Sequence, residues 1–103
     1  MHKLLVTYTR PRDVDAFEKH FGEVHAPMVR RIPGLKKLVI NRITGNSIGT
    51  DPSLYLIVGL QFGPREDFDA AMASEENAAA GQDAVEFCRA TGSRFEVLIA
   101  HED

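Results

Sequence analysis

Hydrophobic positions alternate in twos near both ends of the chain and recur in threes and fours between them. Residues 3 to 9 place Leu4, Val6 and Tyr8 on one side and Leu5 and Thr7 on the other, the period of a strand. Arg10-Pro11-Arg12-Asp13 breaks that pattern. Val14, Phe17, Phe21, Val24, Met28 and Ile32 then form one stripe at helical spacing, predicting a helix to about Ile32, where Pro33-Gly34 stops it. Asp13 or Asp15 is its candidate cap, and Asp15 with Glu18 has capping-box spacing. Pro27 lies inside this helix and cannot donate to the carbonyl of Glu23. The helix is expected to kink or loosen there, or to restart with proline in its first turn.

Leu35 to Ile43 is rich in branched residues and predicts a second strand. Residues 44 to 53 carry glycines, an asparagine, an aspartate and a proline, and read as a long loop. Residues 54 to 62 form the clearest strand, with Leu54, Leu56, Val58, Leu60 and Phe62 on one face and Tyr55, Ile57, Gly59 and Gln61 on the other. A helix with Phe68 and Met72 at i and i+4 follows, then a break and recap at Ser74-Glu75-Glu76-Asn77. The next helical piece reaches about Ala90, with Ala84, Val85 and Cys88 as its candidate inner face, and Thr91-Gly92 ends it. Residues 94 to 101 make the last strand, with Phe95, Val97, Ile99 and His101 on one face.

The order β-α-β-β-α-β is that of an α+β, ferredoxin-like fold: an antiparallel four-stranded sheet with helices on one face. The other face then needs a cover, because residues 54–62 and 95–101 are apolar on both sides. A sheet-to-sheet homodimer would supply it. At 103 residues the chain is expected to be a single domain spanning 1–103.

Composition narrows the classes. A net charge of -3 argues against a general nucleic-acid binder. Arg30-Arg31 and Lys36-Lys37 flank Pro33-Gly34, where cations suit a helix end and a strand start. The single cysteine, Cys88, forbids an intrachain disulfide and fits a reducing compartment. No apolar run is long enough to span a membrane, and the first residues lack a leader pattern, so a cytoplasmic protein is expected.

The candidate chemistry centres on His25, beside the apolar stripe, where an imidazole can act as acid, base or ligand. The plainer alternative is a hydrogen-bonded packing histidine. His20 borders the same stripe, but on a regular helix five residues turn the two rings about 140° apart, too far to share a metal. Desolvation is expected to lower the His25 pKa unless a partner comes from the sheet; Glu18 and Glu23 are the nearby carboxylates. Tyr8 and Tyr55 could orient a substrate oxyanion, or be core aromatics with hydroxyls at solvent. Arg42 is a possible anion binder or a solvated strand residue, His101 a possible dimer-edge residue, and Cys88 reads as buried packing. Dinucleotide, P-loop, zinc and nucleophile-elbow motifs are missing, so neither a metal nor a cofactor is expected.

Several segments occur together in this chain: Lys3-Leu4-Leu5-Val6; Phe17, His20, Phe21 and His25-Ala26-Pro27; Ile32-Pro33-Gly34-Leu35; Tyr55-Leu56-Ile57-Val58; and Ala71-Met72-Ala73-Ser74-Glu75-Glu76. Through them the chain resembles the EthD family of the dimeric α+β barrel superfamily over nearly its whole length. The resemblance implies a homodimer with a small-molecule pocket between the first helix and the sheet, and carries His25 over onto the family's helix histidine. It points to an enzyme of oxidative catabolism in which His25 does acid/base work on a small apolar, oxygen-containing metabolite. His20, Tyr8, Tyr55, Phe21 and Met28 are its candidate substrate contacts. A non-catalytic ligand-holding protein of an oxidative, ether-degradation-like pathway and a haem-binding member with His25 as axial ligand are the other implied readings. The superfamily includes cofactor-free monooxygenases, cyclases and isomerases, so fold membership does not select a reaction.

Overall fold

The computed structural model describes residues 1–103. Strand β1 spans His2–Thr9, β2 Lys37–Arg42, β3 Leu54–Gln61 and β4 Phe95–His101. Helices α1 (Val14–His20) and α2 (Ala26–Arg30) are joined without a break by a π-helical turn, Phe21–His25, and α3 (Arg65–Met72) and α4 (Glu75–Thr91) follow β3. The sheet is antiparallel in the order β2-β3-β1-β4. This is the α+β, ferredoxin-like architecture that the element order implies, with β1 and β3 at the centre.

Cross-strand register decides the faces. Leu4 opposes Leu60 and Ile99, Val6 opposes Val58 and Val97, and Tyr8 opposes Leu56 and Phe95. These residues face the helices, where Phe17, Phe21, Phe62, Phe68 and Phe87 complete the core. The opposite face presents Leu5, Val39, Ile57, Gly59 and Leu98. A Cβ on Gly59 would meet Val39 and Leu5 at 3.7 and 3.8 Å, so the side chains of the neighbouring strands flank this glycine on both sides. Nothing within the chain lies over them. On β4 the barest apolar residues, Val97 and Ile99, sit on the helix side instead, where the helices stop short of the edge strand.

The first helix departs from the expected single stripe. Val24 is exposed and Met28 only half-buried, whereas His25, Ala26 and Val29 are buried. The cause is the π turn. The Ala26 N–H donates to the Phe21 carbonyl, five residues back, so this turn holds one residue more than an α turn. Every later side chain is displaced around the axis by one position, and the inward face passes from Phe17 and Phe21 to His25, Ala26 and Val29. Pro27 explains why the turn loosens here: it has no N–H for the Glu23 carbonyl, and its ring crowds that carbonyl away.

Helix ends follow the sequence more closely. Asp13, rather than Asp15, caps α1 by accepting from the Ala16 N–H at 3.1 Å. Glu18 plays no part in that cap; it pairs with Arg42. Ser74 caps α4 through the Asn77 N–H at 3.1 Å. Gly92 closes that helix at φ 78°, a left-handed position that favours glycine. The inner face of α4 is Ala80, Ala84, Phe87, Cys88 and Thr91, while Val85 is exposed, because the stripe follows i, i+4, i+7 from Ala80 and leaves Val85 outside it. No helix is long and apolar enough to cross a membrane.

Candidate active site

The π turn and α4 meet over β1, and there the polar groups converge. His25 is 5 % exposed. Its Nδ1 lies 2.9 Å from Asp83 Oδ2. His20 Nε2 reaches the same carboxylate, 2.8 Å from Oδ1 and 3.0 Å from Oδ2. The Tyr8 hydroxyl, from the centre of the sheet, lies 3.5 Å from His25 Nε2. Phe87, one turn beyond Asp83 on α4, packs on both imidazoles with ring centroids 4.9 Å away in each case.

Two histidines that a regular helix would hold about 140° apart are thus bound to one carboxylate. The extra residue in the π turn brings them to the same side. Asp83 is the partner that sequence reasoning missed; the nearby carboxylates Glu18 and Glu23 do not touch His25. Its only sequence signal is position, at the border of the stripe formed by Ala80, Ala84 and Phe87. A carboxylate at the margin of a buried stripe is usually solvated, and only the packing of two helices shows otherwise.

The electrostatics follow from burial. Desolvation lowers the His25 pKa below its ordinary value and outweighs the raising effect of Asp83, with His20 pushing further down. The carboxylate partner comes from α4 and not the sheet, and it does not reverse the shift. Burial raises the Tyr8 hydroxyl pKa, helped by Cys88 and Asp83, so Tyr8 stays a neutral donor. Burial also pushes the Cys88 thiol up to about 12, which removes it as a nucleophile.

Beside His25 is an apolar cavity of about 170 Å³ between the sheet, the π turn and α4. Leu4, Val6, Phe21, Val29, Val58, Leu60 and Ala84 supply much of its wall, and Met72 and Phe95 contribute from further along the chain. His25 and Asn77 are the polar side chains on it, and no lysine, arginine, aspartate or glutamate lines it. The Asn77 amide donates to the Met72 carbonyl at 3.3 Å. His25 is therefore the acid–base side chain on the wall, and Nε2 is the ring nitrogen that Asp83 leaves free. No group of three or more His, Cys, Asp or Glu side chains is arranged to hold a metal ion.

The candidate residues divide accordingly. His25 and Phe21 stand on the cavity wall. Tyr8 and His20 stand behind it, joined to it through His25 and Asp83. Met28 is not on the wall; the π turn puts Val29 there instead. Tyr55 is also elsewhere. β1 and β3 slip register between Tyr8 and Thr9, leaving Tyr55 as the extra residue of a bulge. Its ring meets Phe17 edge-on and its hydroxyl donates to the Glu18 carboxylate. Arg42 reaches Glu18 at 2.8 Å, which accounts for it as an ion-pair partner. His101 packs edge-on against His2 at the sheet margin.

Comparison with known proteins follows the same lines. The EthD domain family model matches residues 10–90. An uncharacterized 11.0 kDa protein in the thcB-thcC intergenic region of Rhodococcus erythropolis is 30% identical over 87 residues, covering 84% of each chain. The crystal structure of an EthD family protein from Bacillus halodurans superposes with a TM-score of 0.89 at 33% identity, covering 100% of this chain and 99% of that one. SnoaB, a cofactor-independent oxygenase from Streptomyces nogalater, shares the fold at a TM-score of 0.66 and 17% identity, over 99% of this chain and 92% of its own. From the span of the family match and the likeness along the whole chain, the protein belongs to the EthD domain family.

Proposed function

We propose that the protein is a small-molecule enzyme of oxidative catabolism in which His25 is the general base, acting without a cofactor on a small apolar, oxygen-containing metabolite. The observation that carries this reading is the position of His25, held by a carboxylate through one ring nitrogen and standing on the wall of an apolar cavity. Asp83 orients the ring and stabilises the cation formed when Nε2 takes a proton. Desolvation keeps His25 neutral, and so ready to accept, at neutral pH. A proton leaving an O–H or an activated C–H of the substrate goes to Nε2, and its electron pair stays on the substrate as an enolate or phenolate.

A second reading, a ligand-holding accessory protein, has one observation in its favour: the Tyr8 hydroxyl already covers Nε2. The haem-binding reading is the least favoured, since a cavity of about 170 Å³ is far too small for a tetrapyrrole. The deciding experiment is deuterium wash-in from heavy water into one-ring ketones and phenols, followed by NMR. An enzyme exchanges these hydrogens faster than buffer, and His25→Gln loses about 100-fold or more of that rate. Binding without exchange would leave the accessory role.

The same reading includes a homodimer. Leu5, Val39, Ile57 and Leu98 form an apolar face that nothing in the chain covers, and a second copy packed sheet to sheet would bury it. Light scattering on the eluting protein should return twice the chain mass of 11.4 kDa at micromolar concentration; a monomer there defeats the dimer. The lone buried thiol of Cys88 suits a reducing, cytoplasmic compartment.

A further inference from the structure

The hydrogen-bonding sense of His25, the one acid–base side chain on the cavity wall, is set from outside the cavity. A carboxylate can only accept. Asp83 Oδ2 lies 2.9 Å from His25 Nδ1, and Oδ1 lies 2.8 Å from His20 Nε2, so each of those ring nitrogens carries its hydrogen toward Asp83. A neutral His25 with its hydrogen on Nδ1 has a bare lone pair on Nε2. The group already placed at that lone pair is itself a hydroxyl, Tyr8, at 3.5 Å, a long contact that a better-placed donor can displace.

The remaining wall sets the other limits. Its hydrocarbon side chains offer no hydrogen bond, and the Asn77 amide is committed to the Met72 carbonyl. No cation faces the cavity to offset a bound negative charge. The volume, about 170 Å³, is close to that of an apolar cavity of roughly 150 Å³ known to hold benzene.

We propose that the cavity binds an uncharged molecule of one-ring size that presents a hydroxyl hydrogen to His25 Nε2, as a phenol, enol or alcohol does, and that it discriminates against ethers and carboxylates of the same size. An ether oxygen would meet Nε2 lone pair to lone pair. A carboxylate would be buried without a partner. The inference rests on His25 being the working group of this cavity, but it concerns binding and not turnover.

p-Cresol and anisole are isomers, one a hydroxyl donor and the other an ether, and benzoate adds the charged case. Their affinities for the full chain are measured by calorimetry, with nitrogen NMR of the His25 ring to locate its hydrogen. p-Cresol should bind about tenfold more tightly than anisole, the worth of one hydrogen bond. Benzoate at neutral pH should not bind measurably, and the His25 hydrogen should lie on Nδ1. In Asp83→Asn the amide can donate to Nδ1 and move the hydrogen to Nε2, so the cresol preference should vanish or reverse.

Anisole binding as tightly as p-cresol, a hydrogen on Nε2 in the wild type, or no saturation by either isomer overturns the proposal. An undiminished cresol preference in Asp83→Asn overturns it as well. The wild-type comparisons decide the matter if that variant does not fold. A cresol preference without deuterium exchange would sink the general-base reading and leave the ligand class standing. Exchange without the preference would do the opposite.

Discussion

Two helical segments build the site, and they are made differently. The α4 helix is regular over 17 residues, capped by Ser74 at one end and closed by Gly92 at the other. The segment from α1 to α2 carries a π turn and a proline. α4 contributes one chemical residue, Asp83, and a buried stripe at ordinary spacing. The irregular segment contributes His20 and His25, on one side of the axis only because its turn holds an extra residue. A regular helix supplies a fixed reference, and a local irregularity opposite it selects which side chains meet that reference.

Removing the rings by which the two segments pack tests the comparison hardest. Phe17 is fully buried and Phe87 nearly so, with ring centroids 5.2 Å apart. Phe17→Ala and Phe87→Ala should each cost about 3–5 kcal/mol in chemical denaturation. The double variant should lose less than the sum, since the two rings share a contact. Only Phe87→Ala should also disturb the NMR signals of both histidines, because Phe87 alone packs on both. Equal disturbance by Phe17→Ala would mean that the irregular segment, not α4, holds the rings in place.

Capping gives a smaller effect, confined to the regular helix. Ser74→Ala removes the acceptor for the Asn77 N–H and should cost about 1 kcal/mol. The NMR signals of the His20 and His25 rings should stay as they are, because Asp83 lies more than two turns from the cap.

Glycine sharpens the comparison further. Gly22 in the π turn and Gly81 in α4 both have room for a Cβ, with nothing within 4 Å. Alanine at either position should stabilise by about 0.5–1 kcal/mol, read as a shift in the denaturation midpoint. Gly81 lines the cavity and Gly22 does not. Gly81→Ala alone should therefore weaken p-cresol binding. No gain at Gly22 would show that the π turn itself needs glycine.

The pH dependence of stability carries the smallest effect. The His25 pKa is lowered on folding, chiefly by desolvation, so the unfolded chain binds this proton more readily. Stability from this group is full above the ordinary value of 6.5 and declines as pH falls from there toward the folded pKa. His25→Gln should flatten the urea-denaturation midpoint over that window. An unchanged slope would place the titration elsewhere.

Much of the fold was legible because it rests on local periodicity. Two-residue alternation located three of the strands and branched residues the second, and proline, glycine, serine and aspartate marked where elements end. The recap at Ser74 and the stop at Gly92 needed only the capping chemistry of those residues. His25 was legible as a polar residue beside an apolar stripe followed by a proline. Its partner was not. Residues 25 and 83 are far apart in the chain, and nothing at Asp83 distinguishes it from other carboxylates on the helices.

The amino-acid sequence by itself therefore determined the element order, the sheet with helices on one face, and the family likeness carried by His25-Ala26-Pro27 and Pro33-Gly34. Tertiary structure decided the rest. It converted a predicted stripe of Val24 and Met28 into one of His25 and Val29, brought Tyr55 through a bulge against Phe17 and Glu18, and set two histidines on Asp83. The physical reason is common to all three. A helix or strand pattern assumes one constant turn per residue, and one extra residue in a turn or a ladder shifts every side chain beyond it. Whether that residue is accommodated as a π turn or a bulge depends on packing against elements distant in the chain.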